Sequence, residues 1–335
     1  MEDNFVQNKL AGKKPEIRGR KSIWLSPTTE IQVPTKYANR LQRLAYQWEQ
    51  EEAQVRDGII TRPALRYYGG KWRLAPWILS HFPRHHHYVE PCGGAASVLL
   101  QKPPSELETY NDLNRYLVIF FQVLREHPDE LIASLQLTPW SREEFERSLD
   151  IESIVDDALE IARRMYIGYW MSIGATPDGC HGVRFVKRNK NYFLRCISDD
   201  GENLLRIANR LAGVQLENRD ALDCIQVYDS AETLIYFDPP YIQSTRTQKK
   251  QYRHETDDAF HEQAFAVLRA CQGFVVVSGY QCELYQQTYE SEGWTRIDKP
   301  SIANGGRARI ESLWLSPHTM DALQEQNQQL TLFHY

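Results

Sequence analysis

The residues best suited to chemistry are Asp238-Pro239-Pro240-Tyr241, which follow the apolar run Leu234-Ile235-Tyr236-Phe237. Such a run reads as a buried strand of a parallel sheet, and in open parallel sheets ligands gather at the C-terminal strand ends. Two successive prolines contribute no backbone N–H, so the loop offers acceptors only. That suits an amine. An exocyclic amino group donates two hydrogen bonds, which the Asp238 carboxylate and the Pro239 carbonyl can accept. Acceptors so placed favour a nitrogen lone pair tilted out of the ring plane, as a nucleophile requires, and Tyr241 can stack on the ring that bears the amine. The plainer alternative is a surface turn whose aspartate caps a helix; the buried strand ahead of it argues against that.

A second constellation is Tyr88-Val89-Glu90-Pro91-Cys92-Gly93-Gly94, a strand running into glycines that allow close backbone approach to a ligand. Dinucleotide and phosphate sites use glycines too, but Glu90 would repel a pyrophosphate and favour a ligand carrying sulfonium and ammonium groups. The spacing also departs from Gly-x-Gly-x-x-Gly. In Tyr110-Asn111-Asp112-Leu113-Asn114 an acid ends the next strand, about 20 residues beyond the turn, where Rossmann-like proteins hold ribose hydroxyls. Asn111 or Asn114 can cap the helix that follows.

Positioning these groups takes strands that alternate with helices. The pattern predicts a short helix over 72–81, restricted by Pro76 to its first turns, a strand at 88–90 and a helix over 95–101 behind the glycines. Residues 115–170 read as mainly helical, 172–200 as a loop or hairpin region, and 204–211 as helix. A strand at 233–237, a helix over 257–271 and a strand at 274–278 follow, and 294–297 with 310–315 form a closing hairpin. This is an α/β pattern: a mostly parallel twisted sheet with a final antiparallel hairpin and helices on both faces. Residues 35–54 have helical spacing inside a polar segment, 1–60, that holds none of this chemistry and reads as an N-terminal extension.

Composition bounds the partners. The chain has 335 residues, a formal net charge of -5 and a hydrophobic fraction of 42%. No apolar run reaches membrane-spanning length and the N-terminus lacks the order of a signal peptide, so a soluble, cytoplasmic protein is expected. Six cysteines without a Cys-x-x-Cys pair fit a reduced protein without structural zinc. His85-His86-His87 lacks partners at ligand spacing and reads as a polar loop entering a strand; no metal is expected. Positive charge is concentrated in two stretches, Arg184, Lys187, Arg188, Lys190 and Arg195, then Arg246, Lys249, Lys250 and Arg253. Either alone could be a solvated face. Two of them, one directly after Tyr241, read as segments that bind the phosphates or bases of double-stranded DNA.

Together with Arg66-Tyr67-Tyr68-Gly69-Gly70-Lys71, these motifs resemble the Dam-like DNA adenine methyltransferases, particularly the phage and prophage members. In that family an aromatic-x-Gly-Gly-Lys segment precedes the glycine turn, Asp-Pro-Pro-Tyr comes late, and the target-recognition region lies between. The same order runs here through residues 62–317. The resemblance implies a Rossmann-like methyltransferase fold with an inserted, mainly helical target-recognition domain. The catalytic domain would comprise 61–124 and 216–320, the insertion 125–215 and the C-terminal tail 321–335. It further implies S-adenosyl-L-methionine as cofactor, held by Tyr67, Gly69, Gly70, Lys71, Glu90, Pro91, Cys92, Gly93, Gly94, Asp112 and Asp220. Within that set Asp112 meets the ribose and Asp220 the adenine, a plain surface aspartate being the alternative for Asp220. Cys92 stands where the family usually has phenylalanine, which loosens the packing around the cofactor. Asp238, Pro239, Pro240 and Tyr241 would catalyse site-specific methylation of the N6 amine of a flipped-out adenine.

Cytosine N4 or an RNA base amine as target, a catalytically silent DNA-binding protein of the same fold, and a nicotinamide dehydrogenase are the alternatives. The near-repeat of Ser22-Ile23-Trp24-Leu25-Ser26-Pro27 by Ser312-Leu313-Trp314-Leu315-Ser316-Pro317 is either coincidence or a duplicated piece of the C-terminus. The recognition sequence, a cognate restriction endonuclease as partner and the oligomeric state are left open.

Overall fold

Apolar, β-branched runs build the centre of the molecule. The computed structural model describes residues 5–6, 33–34, 59–173, 182–184, 200–245, 253–302 and 308–332. They fall into two units, 1–60 and 61–335. In the first, Phe5–Val6 (β1) pairs antiparallel with Val33–Pro34 (β2). The segment 22–27 and the helix expected over 35–54 lie outside the described residues.

The second unit is organised by a seven-stranded sheet in the order β5-β4-β3-β6-β7-β9-β8. Its strands are His87–Glu90 (β3), Leu107–Asn111 (β4), Val214–Glu217 (β5), Thr233–Phe237 (β6), Phe274–Gly279 (β7), Thr295–Ile302 (β8) and Ala308–Leu315 (β9). β5 through β7 run parallel, and β9 pairs antiparallel with both β7 and β8. The expected mixed sheet with a closing hairpin is what forms. β6 is buried at every position, as its unbroken apolar run requires. One face of the sheet presents Ile235, Phe237, Val275 and Val277 to Ala264, Phe265 and Leu268 of helix α8 (Asp258–Leu268), joined by Tyr285, Tyr289 and Trp314. Elsewhere the rings of Tyr88 and Tyr236 meet Phe82 at 5.8 and 5.6 Å.

The remaining helices are Ala75–Leu79 (α1), Arg115–Glu126 (α2), Pro128–Leu137 (α3), Arg142–Leu149 (α4), Ala158–Met171 (α5), Asp200–Leu211 (α6), Ala221–Tyr228 (α7), Glu283–Thr288 (α9) and Pro317–Leu332 (α10). α1 is a remnant of the helix expected over 72–81. The starts of α2, α4 and α5 are capped by Asn114, Ser141 and Asp157, whose side chains accept backbone N–H groups orphaned at a helix start. α2 packs against both α5 and α6. α6 is tied to β4 through Glu108, which meets Arg210 at 2.5 Å and Lys102 at 3.2 Å, with Lys102 and Glu108 buried. Of the region 172–200, Ser172 bridges Val183 antiparallel; most of the rest lies outside the described residues.

One expected element is absent. Residues 94–101 form successive turns rather than the helix expected over 95–101. Gly94 and Ala96 both adopt positive φ, 50° and 53°, and the Leu99 N–H donates to the Glu90 carboxylate at 3.2 Å instead of to a carbonyl one turn back. A side chain at the end of β3 therefore takes a donor that a helix would need.

Candidate active site

β4 lies on one side of β3 and β6 on the other, so the direction of chain progression reverses between β3 and β6. A crevice opens outside the C-terminal strand ends at such a switch point. Here Glu90 ends β3 and Asp238 follows β6, with Val89 paired to Ile235 just below. Both acids line a cavity of about 360 Å³, within the range of small-molecule sites. Every residue that the sequence assigned to the cofactor lines it: Tyr67, Gly69, Gly70, Lys71, Glu90, Pro91, Cys92, Gly93, Gly94, Asp112 and Asp220. Asp238, Pro239 and Pro240 line it as well, whereas Tyr241 is buried behind the loop and does not.

The turn after β3 is shaped by contacts that only glycine permits. A Cβ on Gly93 would stand 2.1 Å from the Tyr110 ring, and one on Gly94 would meet the Tyr67 ring at 3.0 Å from a backbone at positive φ. Tyr110 is locked in place by its hydroxyl, which donates to the Gly94 carbonyl at 2.7 Å. Asp112 accepts from the N–H of Gly94 at 2.8 Å and of Asn114 at 2.7 Å. Asn111 is a clamp rather than a cap: its amide donates to the Pro91 and Arg219 carbonyls and its oxygen accepts the Arg219 N–H at 2.9 Å. Next in the chain after Arg219, Asp220 caps α7, accepting from Leu222 N–H at 2.8 Å.

The electrostatics favour a cation. Glu90 is buried, and burial first, then the charge of Asp238, push its pKa up to about 8 against hydrogen bonds from Leu99 N–H and the Tyr88 hydroxyl. Burial likewise raises Asp112 to about 6 despite its two backbone donors. Six acidic residues, Glu90, Asp112, Asp220, Asp238, Glu255 and Asp257, thus border one cavity. Of the cations that also line it, Lys71 is paired to Asp238 at 2.9 Å and Arg253 to Glu152 at 3.2 Å. Ser97 Oγ, buried in the same wall, has no hydrogen-bond partner among the described residues. A pyrophosphate would be repelled here; a ligand with positive charge and donors would be held.

Around Asp238 the structure assembles Lys71 and Tyr241, which sequence reading named, with Ser278, Tyr280 and Glu311, which it missed. Lys71 Nζ also donates to the Gly69 carbonyl at 2.9 Å and lies 4.6 Å over the Tyr241 ring. Burial alone would depress this ammonium, but the negative charges of Asp238 and Glu311 outweigh it and its pKa is raised. Ser278, ending the buried run of β7, donates to Asp238 Oδ1 at 2.5 Å. It accepts from the hydroxyls of Tyr236 at 3.1 Å and Tyr241 at 3.4 Å, and the Tyr241 hydroxyl reaches Glu311 Oε2 at 3.2 Å. Tyr280 meets the Tyr241 ring edge-on at 4.6 Å and takes a 2.9 Å bond from Arg309. A serine closing a Val-Val-Val run and an acid alternating with apolar residues in β9 were the available signals.

The basic stretches are less gathered. Arg253 lines the cavity and sits 4.8 Å over the Tyr116 ring, and Arg184 is hydrogen-bonded through its backbone to Met171 and Trp140. Lys187, Arg188, Lys190, Arg195, Arg246, Lys249 and Lys250 lie outside the described residues. None of the described helices is long and apolar enough to cross a membrane.

Comparison with known proteins adds chemistry to this geometry. Type II methyltransferase M1.LlaDCHI of Lactococcus lactis subsp. cremoris is 24% identical over 267 residues, which cover 75% of this chain and 92% of that protein. Type II methyltransferase M.MjaIII of Methanocaldococcus jannaschii is 26% identical over 212 residues, 54% of this chain and 69% of that protein. Residues 67–301, from the tyrosine that packs on Gly94 to the end of β8, match the model of the D12 class N6 adenine-specific DNA methyltransferases. With its acceptor loop at the switch point of the sheet, the chain belongs to that family, and methylation of adenine in DNA is its activity.

Proposed function

We infer that this protein transfers a methyl group from S-adenosyl-L-methionine to the N6 amine of an adenine flipped out of duplex DNA, at a site-specific target. The observation that carries this reading is the position of Asp238: an acceptor at the C-terminal end of β6, facing a cavity bordered by carboxylates and followed by a loop without backbone donors. The cofactor supplies a methyl group already activated on a sulfonium. Glu90 and the Gly93–Gly94 turn suit its charged methionine end, Asp112 its ribose, and Asp220 with Tyr67 its adenine; the orphaned Ser97 hydroxyl offers one more contact. Asp238 and the Pro239 carbonyl would hold the amine, orient its lone pair and stabilise the positive charge that grows on nitrogen. Tyr241, whose π-face carries the Lys71 ammonium, is the ring we assign to stacking on the flipped base; Lys71 would swing off that face while staying paired to Asp238.

The helices within 125–215, together with residues 242–256, are the segments we assign to target recognition. Asp238→Ala tests the assignment: tritium transfer to unmethylated DNA should fall by at least a thousandfold while calorimetry still detects cofactor binding. Substantial residual turnover would remove Asp238 from the chemistry.

A further inference from the structure

The cavity poses a problem of proton disposal. When the amine lone pair forms the N–C bond, the pair of the broken C–S bond stays on sulfur and the nitrogen carries a positive charge until it sheds one proton. Asp238 is the adjacent base, but its side chain is only 17% exposed and a bound base covers it further. Lys71, on the same carboxylate, is an ammonium whose pKa is raised, so it cannot accept. We propose that the proton leaves Asp238 through Ser278 and Tyr241 to Glu311, and from there to solvent.

The geometry gives an unbroken chain of acceptors and hydroxyl rotors. Asp238 Oδ1 to Ser278 Oγ is 2.5 Å, Ser278 Oγ to Tyr241 Oη is 3.4 Å, and Tyr241 Oη to Glu311 Oε2 is 3.2 Å. Each hydroxyl both donates and accepts, so a proton can be passed on while another is taken up. The balance closes: the Tyr241 proton moves to Glu311, the Ser278 proton to Tyr241 and the Asp238 proton to Ser278. Glu311 then loses one proton to water, and rotation of the two hydroxyls restores the starting state. Tyr236, which donates to Ser278 at 3.1 Å, holds the serine oxygen in line.

Topology explains why the exit lies there. β9 runs antiparallel to β7, so Glu311, one residue before the stretch of β9 that pairs with β7, comes to the same end of the sheet as the end of β7 and the loop after β6. Glu311 is half-buried, opposite Lys299 in β8. The other groups whose charge is felt here are Lys71, Arg309, Tyr280, Tyr236 and Tyr241, while Glu90, Cys92 and Tyr285 respond to Asp238. Lys71 and Arg309 are the cations on which the charge of this terminal carboxylate acts.

The inference rests on the proposed N6 methyl transfer, and the test separates the two. In weakly buffered solution at about pH 9, above the range in which Glu90 exchanges a proton, a pH-indicator dye is followed by stopped flow while the full-length enzyme, preloaded with cofactor, completes a single turnover on unmethylated plasmid DNA, with methyl incorporation quenched and counted in parallel. The wild-type protein should release one proton per methyl group at the rate of methylation. In Glu311→Gln and Ser278→Ala, proton release should lag methylation at least tenfold and coincide with DNA dissociation, while cofactor affinity measured by calorimetry is unchanged. Synchronous release in both variants overturns the relay and leaves the methyl-transfer reading intact. A wild-type protein that incorporates no methyl group overturns that reading instead. A variant that binds cofactor normally but no longer methylates would make its residue part of the chemistry and not of an exit path, which also overturns the relay.

Discussion

Binding of a cation beside Glu90 should expel a proton, and the size of the effect follows from its environment. The folded, ligand-free protein holds this carboxyl at about 8, well above its ordinary value of 4.5. A raised carboxyl favours the neutral form, so the ligand-free protein loses stability as pH rises from about 4.5 to 8. A sulfonium or ammonium nearby reverses the preference, because the carboxylate becomes the better partner. At pH 6.5 about 3% of such groups are ionised and at pH 7.5 about 24%, so cofactor affinity should rise about eightfold, or ~1.2 kcal/mol, across that unit. Asp112, raised to about 6, adds a factor of about 1.3 over the same window if its carboxylate accepts the ribose hydroxyls. Calorimetric titration in buffers of differing ionisation enthalpy reads the proton count directly, and close to one should be released near pH 7. In Glu90→Gln the release and most of the pH dependence should vanish, affinity at pH 8.5 should fall, and the ligand-free variant should melt higher than the wild type at that pH. Wild-type affinity that is flat between pH 6.5 and 7.5, with no proton released, would refute the argument.

Gly93→Ala places a methyl group on the Tyr110 ring, and moving that ring threatens its bond to Gly94. The expected cost is roughly 2–4 kcal/mol, seen as a lower denaturation midpoint together with weaker cofactor binding. Asp220→Ala should lose about 1 kcal/mol with the α7 cap. Asp220→Asn should keep the cap and the stability, so any fall in cofactor affinity common to both variants reports a direct role in binding. Arg210→Met strands Glu108 beside Lys102 alone; destabilisation of roughly 3–5 kcal/mol is expected in urea unfolding, with the remaining folded protein still active.

The parts of the site that sequence made legible are those with a local cause. An unbroken apolar run must be an interior strand, a double proline must present acceptors, and Gly93-Gly94 must mark a tight approach. Each of these statements concerns neighbours in the chain. Ser278, Tyr280 and Glu311 were not legible because their roles come from strand order: β9 is last in sequence yet docks on β7, bringing Glu311 within reach of Tyr241 seventy residues away. The failure over 95–101 has the same origin. Its residues are competent helix formers, but Glu90, at the end of another element, captures the Leu99 N–H and the turn tightens around Gly94. Asn111 shows the converse, since a residue plausible as a helix cap is used to bind two distant carbonyls.

The position of β9 has a consequence for how the protein is made. β8 emerges from the ribosome first, but its sheet neighbour is β9, so it has no place to dock until the chain has been synthesised through Leu315. Until then β7 is a bare edge, and the Tyr241 hydroxyl lacks its Glu311 partner. A chain translated only through β7 already contains the glycine turn and the acceptor loop, yet it lacks the β9 carboxylate that ends the hydrogen-bond chain behind Asp238. Completion of that network therefore waits on β9, the strand of the sheet that is made last.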